Sequence, residues 1–190
     1  MKYCSECGTQ VERRVPEGDS LERDVCPACD TIHYSNPNVV VGCIPVWEDK
    51  ILLCKRAIEP RLGYWTLPAG FLEHNETTSQ AGARETWEEA CAKVEVGELF
   101  SMINVPYIGQ IHMFYRAELI KPEFSAGIES TDVKLVTEDE IPWDEIAFPT
   151  VAHTLRWFLE DRKAGKFQLH THDILARPPR SVVPQNSGQR

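Results

Sequence analysis

Three glutamates in the middle of the chain have the spacing that points most directly to chemistry. Glu85, Glu88 and Glu89 are three and four residues apart, so an α-helix places them on one face within about one turn of each other. Like charges repel at this spacing, and Arg84 can pair with Glu88, which leaves the other two carboxylates without a local cation. Clustered carboxylates are hard oxygen ligands and suit Mg²⁺ or Mn²⁺. The alternative interpretation of the same spacing is a solvated acidic helix face.

The helix needed to carry these glutamates is predicted from the residues that precede them. Pro68 and Gly70 are turn residues. Thr77 followed three residues later by Gln80 matches a capping box, in which each side chain bonds to the backbone of the other residue at a helix start. We therefore expect a helix over about residues 78–92.

Two Cys-x-x-Cys pairs near the start of the chain form a second set of candidate metal ligands. The four residues are Cys4, Cys7, Cys26 and Cys29. This spacing is typical of a zinc ribbon, in which four thiolates close a tetrahedral structural site. The alternative, two redox dithiols, lacks the strand and helix pattern that such motifs need. We expect residues 1–34 to fold around Zn²⁺, because so short a unit buries little core, and we interpret His33 as incidental.

Composition limits the functions that this 190-residue chain can serve. A formal net charge of −9 argues against broad nucleic-acid binding, which needs a basic face, so an anionic substrate must meet metal ions or a local basic patch. The sequence contains no apolar run of the roughly 18 residues that a membrane span requires, and its first residues lack the apolar region of a signal peptide. The seven cysteines favour a reducing compartment and metal binding over a disulfide framework, so we expect a cytoplasmic protein.

The remaining chain alternates between strand and helix patterns. Apolar runs over residues 39–44 and 51–56 predict a hairpin in which Cys43 and Cys54 are small buried residues rather than reactive thiols. A loop over residues 58–69 leads into the acidic helix. The other predicted elements are strands at 93–100, 102–105, 112–119 and 133–136, a helical turn at 137–142, a helix at 149–164 and a disordered tail at 176–190. This order predicts an α/β fold with a mixed sheet flanked by helices.

The stretch from Gly70 to the end of the acidic helix resembles the Nudix box. Six residues fall in the register of that motif: Gly70, Glu76, Arg84, Glu85, Glu88 and Glu89. Two positions depart from it, because Thr86 stands at a usually aliphatic position and Cys91 replaces the usual glycine near the helix end. Neither change removes a metal ligand. The resemblance implies a Nudix α/β/α sandwich with a mixed sheet over residues 37–175, preceded by the small zinc-ribbon module.

The resemblance also implies a reaction and its metal ligands. Nudix enzymes cleave a nucleoside diphosphate linked to another moiety, X, with the help of divalent ions such as Mg²⁺ or Mn²⁺. The implied ligands are Glu85, Glu89, Glu88 and the backbone carbonyl of Ala69 or Gly70. Glu88 is either a third, water-bridged ligand or an orienting partner of Arg84, and Glu76 is implied to anchor the loop.

Such enzymes usually recruit a further acid from a distant loop. The candidates are Glu118, Glu123, Glu129, Asp132 and Glu138. We favour Glu129 because it lies in a turn-like stretch over residues 127–130. Related zinc-ribbon Nudix enzymes that split NADH have a catalytic-site glutamate at the matching offset from a Leu-Pro, which here is Ile141-Pro142. A solvated loop carboxylate is the alternative.

The choice of X depends on residues outside the box. Aromatic rings at Tyr64, Trp65 and Tyr107 are candidates to stack on a base or on isoalloxazine, and the alternative is that they pack the loops onto the sheet. Arg84 is the remaining candidate for substrate binding.

Two groups of zinc-ribbon Nudix enzymes are similar to this chain. NADH pyrophosphatases and RNA NAD-decapping enzymes carry Ser-Gln-Pro-Trp-Pro-Phe-Pro after the box, whereas residues 104–110 read Asn-Val-Pro-Tyr-Ile-Gly-Gln. Over residues 1–175 the chain resembles instead a smaller group that acts on FAD and ADP-ribose, with matching stretches at 53–56, 65–70, 84–89 and 127–130. This resemblance implies a homodimer that hydrolyses FAD to FMN and AMP, or ADP-ribose to AMP and ribose 5-phosphate. The composition, as given above, argues against a membrane or nucleic-acid partner. NADH is the alternative substrate, and a non-catalytic nucleotide sensor is the alternative function.

Overall fold

The computed structural model describes residues 1–176, which fall into two compact units. The first is Met1–Pro37, and the second begins at Asn38. The disordered tail predicted over residues 176–190 lies, apart from its first residue, outside the described part of the chain. Within residues 1–176, no helix is long and apolar enough to cross a membrane.

The N-terminal unit is a three-stranded antiparallel sheet. Its strands are β1 (Glu12–Arg14), β2 (Arg23–Val25) and β3 (Ile32–His33), in the order β1-β2-β3. Its apolar interior is small, with Val25, Cys4 and Cys26 buried. Units with so small a core usually depend on a metal ion or on disulfides for stability.

The second unit is built on one mixed sheet of eight strands. They are β4 (Asn38–Trp47), β5 (Lys50–Arg56), β6 (Trp65–Thr66), β7 (Ala69–Phe71), β8 (Val94–Val105), β9 (Gln110–Leu119), β10 (Ser130–Val136) and β11 (His170–Asp173). Six follow the order β10-β5-β4-β9-β8-β11, while β6 pairs with β5 and β7 with β4. β4 is parallel to β9 and β8 to β11, and the other pairs are antiparallel.

The two α-helices of this unit pack on opposite faces of the sheet. The α-helices are α1 (Thr78–Ala90) and α2 (Pro149–Ala164), and 3₁₀ turns occur at Pro106–Ile108, Glu138–Glu140 and Trp143–Glu145. Alternate residues of β5 show that both faces of the sheet are buried, since successive side chains of a strand point to opposite faces. Ile51 and Leu53 pack in a cluster with residues of α2, whereas Leu52 and Cys54 pack with the end of α1. The predicted α/β/α arrangement with a mixed sheet is therefore confirmed.

Several predictions about individual elements are confirmed. β4 and β5 form the predicted hairpin, and Cys43 and Cys54 within it are 0% and 1% exposed. Burial raises the pKa of Cys43 to about 12, so this thiol stays protonated and acts as a small apolar residue. Helix α2 has the predicted bounds and ends at Gly165 in a left-handed conformation (φ 67°).

Two segments differ from their predicted secondary structure, because pairing with a neighbouring strand determines their conformation and the local sequence pattern does not. Residues 58–69 are not a loop throughout, since Trp65–Thr66 pairs with β5 as β6 and β7 begins at Ala69. The strands predicted separately at 93–100 and 102–105 are one strand, β8, which pairs with β9 nearly from end to end.

Smaller differences occur at the ends of elements. β9 and β10 begin earlier than predicted, at Gln110 and Ser130, because each is extended by its neighbour in the sheet. Helix α1 ends at Ala90 rather than near residue 92. β11 was not predicted, because it is short and polar and owes its conformation to pairing with β8.

Candidate active site

Helix α1 is fixed at both ends, which sets the direction of its glutamates. At its start, Thr77 Oγ1 accepts a hydrogen bond from the Gln80 N–H (3.2 Å), and Gln80 Oε1 accepts one from the Thr77 N–H (2.8 Å), so the predicted capping box is confirmed. At its end, Cys91 adopts a left-handed conformation (φ 48°) and donates its N–H to the Trp87 carbonyl (2.8 Å). Cys91 therefore occupies a position in which glycine is usual.

Two of the three helix glutamates turn toward the protein interior. Glu85 and Glu89 are 8% and 5% exposed, whereas Glu88 is exposed to solvent. Burial raises the pKa of Glu85, against the effect of Arg84. Burial, and after it the charge of Glu85, raise the pKa of Glu89 to about 8. One oxygen of Glu89, Oε2, is buried and has no hydrogen-bond partner among the described residues, and a cation there would stabilise the charged form.

Arg84 holds the carboxylates on both sides of it. Its five N–H donors all have protein acceptors: Nη1 donates to Glu85 Oε1 (2.6 Å) and Glu88 Oε2 (2.9 Å), Nε to Glu76 Oε2 (3.0 Å), and Nη2 to Glu76 Oε1 (2.8 Å) and the Phe71 carbonyl (3.0 Å). The predicted pair with Glu88 is thus confirmed. A guanidinium has five N–H donors and all five are used within the protein, so these bonds give the predicted substrate binding by Arg84 no support, and it stays a prediction.

Glu76 connects the loop before α1 to the helix. Its Oε1 accepts a hydrogen bond from the Glu73 N–H (2.8 Å) as well as from Arg84. These hydrogen bonds, that from Arg84 foremost, lower the pKa of Glu76. A carboxylate engaged in this way anchors the loop.

Strand β7 brings the backbone close to the buried glutamates. It pairs with β4 so that Gly70 lies opposite Val41. A Cβ atom on Gly70 would lie 2.2 to 2.4 Å from the carboxylate atoms of Glu85, so no larger residue fits without a shift. The N–H of Ala69 lowers the pKa of Glu89. The residues predicted to supply a backbone ligand, Ala69 or Gly70, therefore lie beside both buried carboxylates.

The loop before β10 packs on the last turn of α1. The N–H groups of Gly127 and Ser125 donate to the carbonyls of Glu89 (3.0 Å) and Ala90 (2.9 Å), which have no partner within the helix. A Cβ atom on Gly127 would lie 1.8 Å from the Glu88 carbonyl oxygen. Only glycine allows the loop to approach the helix this closely.

This docking places Glu129 near the helix carboxylates. The Glu129 side chain is exposed, and its charge raises the pKa of both Glu85 and Glu89. Its carbonyl accepts a hydrogen bond from the Ala57 N–H (2.8 Å), which ties the loop to the end of β5. Another candidate for the distant acid, Glu138, pairs instead with a lysine of α2.

The donor set of this site fits a hard divalent cation. It combines the unpartnered Oε2 of Glu89, the carboxylate of Glu85 and the backbone at Gly70. Among residues 1–176, three or more ligand atoms lie within 4.8 Å of one another only in the four-cysteine group.

The aromatic residues predicted to contact substrate have different surroundings. Trp65 is 5% exposed and belongs to the main apolar cluster, with two lysine ammonium groups over its ring at 5.0 and 5.6 Å. These surroundings are those of a packing residue, the alternative given above, and substrate contact by Trp65 stays a prediction. Tyr64 is half-buried, and Tyr107 is 40% exposed on the 3₁₀ turn that joins β8 to β9.

Sequence reasoning missed one charged residue of the site. Arg56 is the last residue of β5, and its charge lowers the pKa of Glu89. The stretch 53–56, which ends in Arg56, was among those matched to the FAD and ADP-ribose group, but no role at the site was assigned to it. The chain is acidic and its expected substrate is an anion. A search for an arginine or lysine near the glutamates could therefore have found Arg56.

The four cysteines of the N-terminal unit converge on one point. Their Sγ atoms all lie within 4.8 Å of one another. Two turns of the same design hold them, because the N–H groups of Gly8 and Asp30 donate to the carbonyls of Cys4 and Cys26 (3.0 Å each). Gly8 and Asp30 both have positive φ angles, of 74° and 54°.

The surroundings of these cysteines favour metal binding. Hydrogen bonds with the Thr9 side chain and backbone lower the pKa of Cys7 to about 6, which favours the thiolate. Four convergent sulfur ligands fit Zn²⁺ in a closed tetrahedral site. His33 is not part of the group.

Two family models match the chain. The zinc-ribbon model described as Nudix N-terminal matches residues 2–35, and the model described as NUDIX domain matches residues 36–158. A crystal structure of a NUDIX hydrolase from Nitrosomonas europaea is 53% identical and superimposes with a TM-score of 0.90, covering 93% of this chain and all of that one.

Two curated relatives have named activities. An NAD-capped RNA hydrolase of Vibrio vulnificus is 30% identical over 150 residues, which are 75% of this chain and 53% of that protein. An ADP-ribose pyrophosphatase of Methanocaldococcus jannaschii is 29% identical over 131 residues, which are 65% of this chain and 76% of that protein. The chain therefore spans about half of the first relative and about three quarters of the second.

Proposed function

The chain belongs to the Nudix hydrolase family, and on that premise we propose that it hydrolyses the pyrophosphate bond of a nucleoside diphosphate linked to another moiety. The observation that carries the proposal is the pair of buried carboxylates, Glu85 and Glu89, with one Glu89 oxygen left without a partner. Hydrolysis brings a nucleophile to a phosphorus that is already anionic, and carboxylates alone would repel the substrate. The site therefore requires cations between its glutamates and the phosphates.

We assign the cation ligands to Glu85 and Glu89, with Glu88 and the carbonyl of Gly70 as further ligands. When bound, Mg²⁺ or Mn²⁺ would neutralise the charge of the phosphate oxygens and lower the pKa of a coordinated water. The bond from Arg84 to Glu85 (2.6 Å) keeps that carboxylate in one orientation before any ligand arrives. Glu89 must lose its proton to bind a cation, so cation affinity rises with pH up to about 8.

Glu129 is the proposed fourth carboxylate of the reaction. It reaches the helix glutamates from a different segment of the chain, and its side chain is exposed. This position is suited to accept a proton from the attacking water. The close packing of Gly127 on α1 supports this role, because it holds the loop that carries Glu129 against the helix.

For the linked moiety we propose FAD, cleaved to FMN and AMP, or ADP-ribose, cleaved to AMP and ribose 5-phosphate. Support comes from the resemblance to enzymes that act on these compounds and from the ADP-ribose pyrophosphatase relative. Tyr107 is 40% exposed and is the proposed residue for stacking, whereas the Tyr64 ring is half-buried and has the Arg61 guanidinium over it at 5.2 Å. A second candidate, NADH or the NAD cap of RNA, is favoured by the NAD-capped RNA hydrolase relative. The different sequence at residues 104–110 weighs against it.

A substrate panel tests this proposal. FAD, ADP-ribose, NADH and an NAD-capped RNA oligonucleotide are incubated with the protein and Mg²⁺ or Mn²⁺, and AMP, FMN and RNA products are separated by chromatography. We expect AMP from FAD or ADP-ribose, and none when EDTA removes the cation. Preferred cleavage of NADH or of capped RNA would replace the proposed substrate. Binding of these compounds without cleavage would indicate a nucleotide sensor.

Two further features complete the proposal. We propose Zn²⁺ as a structural ion on Cys4, Cys7, Cys26 and Cys29, which leaves no open coordination position for catalysis. From the resemblance we also propose a homodimer. Light scattering at micromolar concentration checks it, and the mass of a single chain would contradict it.

A further inference from the structure

Arg56 is a positively charged residue at the edge of the glutamate site, and it has no role in the function proposed above. It is the last residue of β5, and Ser130 of β10 lies opposite it. The next residue, Ala57, donates its N–H to the Glu129 carbonyl (2.8 Å). Strand pairing therefore fixes Arg56 beside the loop that carries Glu129.

The Arg56 side chain is held on one side and open on the other. Its Nε donates to the Pro60 carbonyl (2.8 Å), and its guanidinium carbon lies 5.1 Å from the ring centre of Phe148. Among residues 1–176, its Nη atoms have no hydrogen-bond acceptor and no carboxylate forms an ion pair with it. Arg84 differs in this respect, since protein acceptors occupy all of its donors.

Strand pairing with β10 and the bond from Ala57 to the Glu129 carbonyl place Arg56 at the glutamate site. In agreement with this position, the charge of Arg56 opposes the rise in the pKa of Glu89 that burial causes, and no direct ion pair joins the two side chains within residues 1–176. An anionic substrate approaching this site meets a chain with a net charge of −9 and the carboxylates of Glu85, Glu88 and Glu129. A cation with free donors at this edge favours the approach of a phosphate group.

We propose that Arg56 binds a phosphate oxygen of the substrate through its free Nη groups. The inference rests on the proposed function in taking the anion to be a pyrophosphate. The planar guanidinium presents parallel N–H donors that match phosphate oxygens, and the contacts with Pro60 and Phe148 fix its plane before the substrate arrives. Removal of this group weakens binding of the anion and spares binding of the metal ion.

The experiment measures anion and metal binding separately in Arg56→Gln. The probe is α,β-methylene-ADP, whose P–C–P bridge resists hydrolysis, titrated by calorimetry in the presence of Mn²⁺. Mn²⁺ alone is titrated in parallel. The control is Arg156→Gln, which makes the same change of charge at a guanidinium that also lies over an aromatic ring, 5.3 Å from the Trp143 ring centre.

We expect the dissociation constant for the probe to rise about 10- to 100-fold in Arg56→Gln, the range for losing a hydrogen bond between charged groups. Mn²⁺ affinity without the probe stays equal or increases, because a positive charge near Glu89 has been removed. The control behaves as the wild type in both titrations. If Arg56→Gln does not fold, Arg56→Lys keeps the charge without the planar pair of donors, and a weaker probe affinity is again expected.

The inference is overturned if either Arg56 variant binds the probe as tightly as the wild type, or if the wild type does not bind it. It is also overturned if metal and probe affinities fall together with the melting temperature, since Arg56 would then be structural. The proposed function fails separately. In that case the wild type cleaves no compound of the panel, while the difference between Arg56→Gln and Arg156→Gln in probe binding persists.

Discussion

Replacing Glu89 with glutamine tests two roles of this buried carboxylate, namely its binding of a cation and its effect on how stability depends on pH. The side chain keeps its shape and stays in a site where Glu89 is 5% exposed. Glutamine has no proton to lose and no charge with which to hold a cation. We expect Glu89→Gln to fold, to lose turnover by orders of magnitude, and to change how stability depends on pH.

The size of the pH effect follows from the pKa of Glu89, which burial raises from 4.5 to about 8. Between these values the folded protein retains a proton that the unfolded chain has released, so the metal-free protein loses stability as pH rises through this window. At about 1.4 kcal/mol for each pKa unit, the loss reaches at most about 5 kcal/mol at pH 8 and above. Glu89→Gln lacks this loss, and is therefore more stable than the metal-free wild type at pH 8 but not at pH 4.5.

The assay is urea unfolding at several pH values between 4.5 and 8.5, in EDTA and in Mg²⁺. For the wild type, Mg²⁺ restores stability most at the alkaline end, because the cation binds only the deprotonated carboxylate. For Glu89→Gln, the stabilisation by Mg²⁺ is reduced. Glu123→Gln, at an exposed loop glutamate, is the control and follows the wild type. The reasoning is refuted if Glu89→Gln shows the same pH dependence and the same Mg²⁺ stabilisation as the wild type, or full turnover at saturating Mg²⁺.

Three further predictions concern the ribbon, the helix end and the substrate. Cys26→Ser loses Zn²⁺ and destabilises the N-terminal unit while some AMP release remains, and metal analysis that finds no zinc in wild-type protein purified without chelator contradicts the assignment. Cys91→Gly raises the free energy of unfolding by about 0.5 to 1 kcal/mol, because the left-handed conformation (φ 48°) strains any residue with a Cβ atom, and lowered stability in urea contradicts this. Tyr107→Ala raises KM for FAD more than for the smaller ADP-ribose, whereas equal losses with a lower melting temperature make Tyr107 structural.

The parts of the site that depend on short stretches of sequence were predictable. The capping box at Thr77 and the face shared by Glu85 and Glu89 follow from helix periodicity alone. The convergence of the four cysteines follows from two Cys-x-x-Cys turns joined by a short sheet. The hairpin of β4 and β5 and the bounds of α2 have equally local signals in turn residues and apolar spacing.

The parts that depend on distant segments were not predictable in this way. Trp65 lies in a stretch that was predicted to be a loop, and the pairing of β6 with β5 carries it into the core. The local spacing relates Arg84 to Glu88 but not to Glu76, which reaches it because the loop before α1 folds back. The position of Arg56 at the site depends on the pairing of β5 with β10. Glu89, whose pKa the charge of Arg56 affects, lies on a helix that begins more than twenty residues later in the chain.

Hydrolysis in water enriched with ¹⁸O tests directly whether the protein uses water to cleave a pyrophosphate bond. ADP-ribose and FAD are incubated with the protein and Mg²⁺, and the products are weighed by mass spectrometry. We expect cleavage between the two phosphorus atoms, with one ¹⁸O atom in one of the two phosphate products and no reaction in EDTA or with Glu89→Gln. Intact substrates, or products that contain no ¹⁸O because a hydroxyl of the substrate itself has attacked, would contradict it.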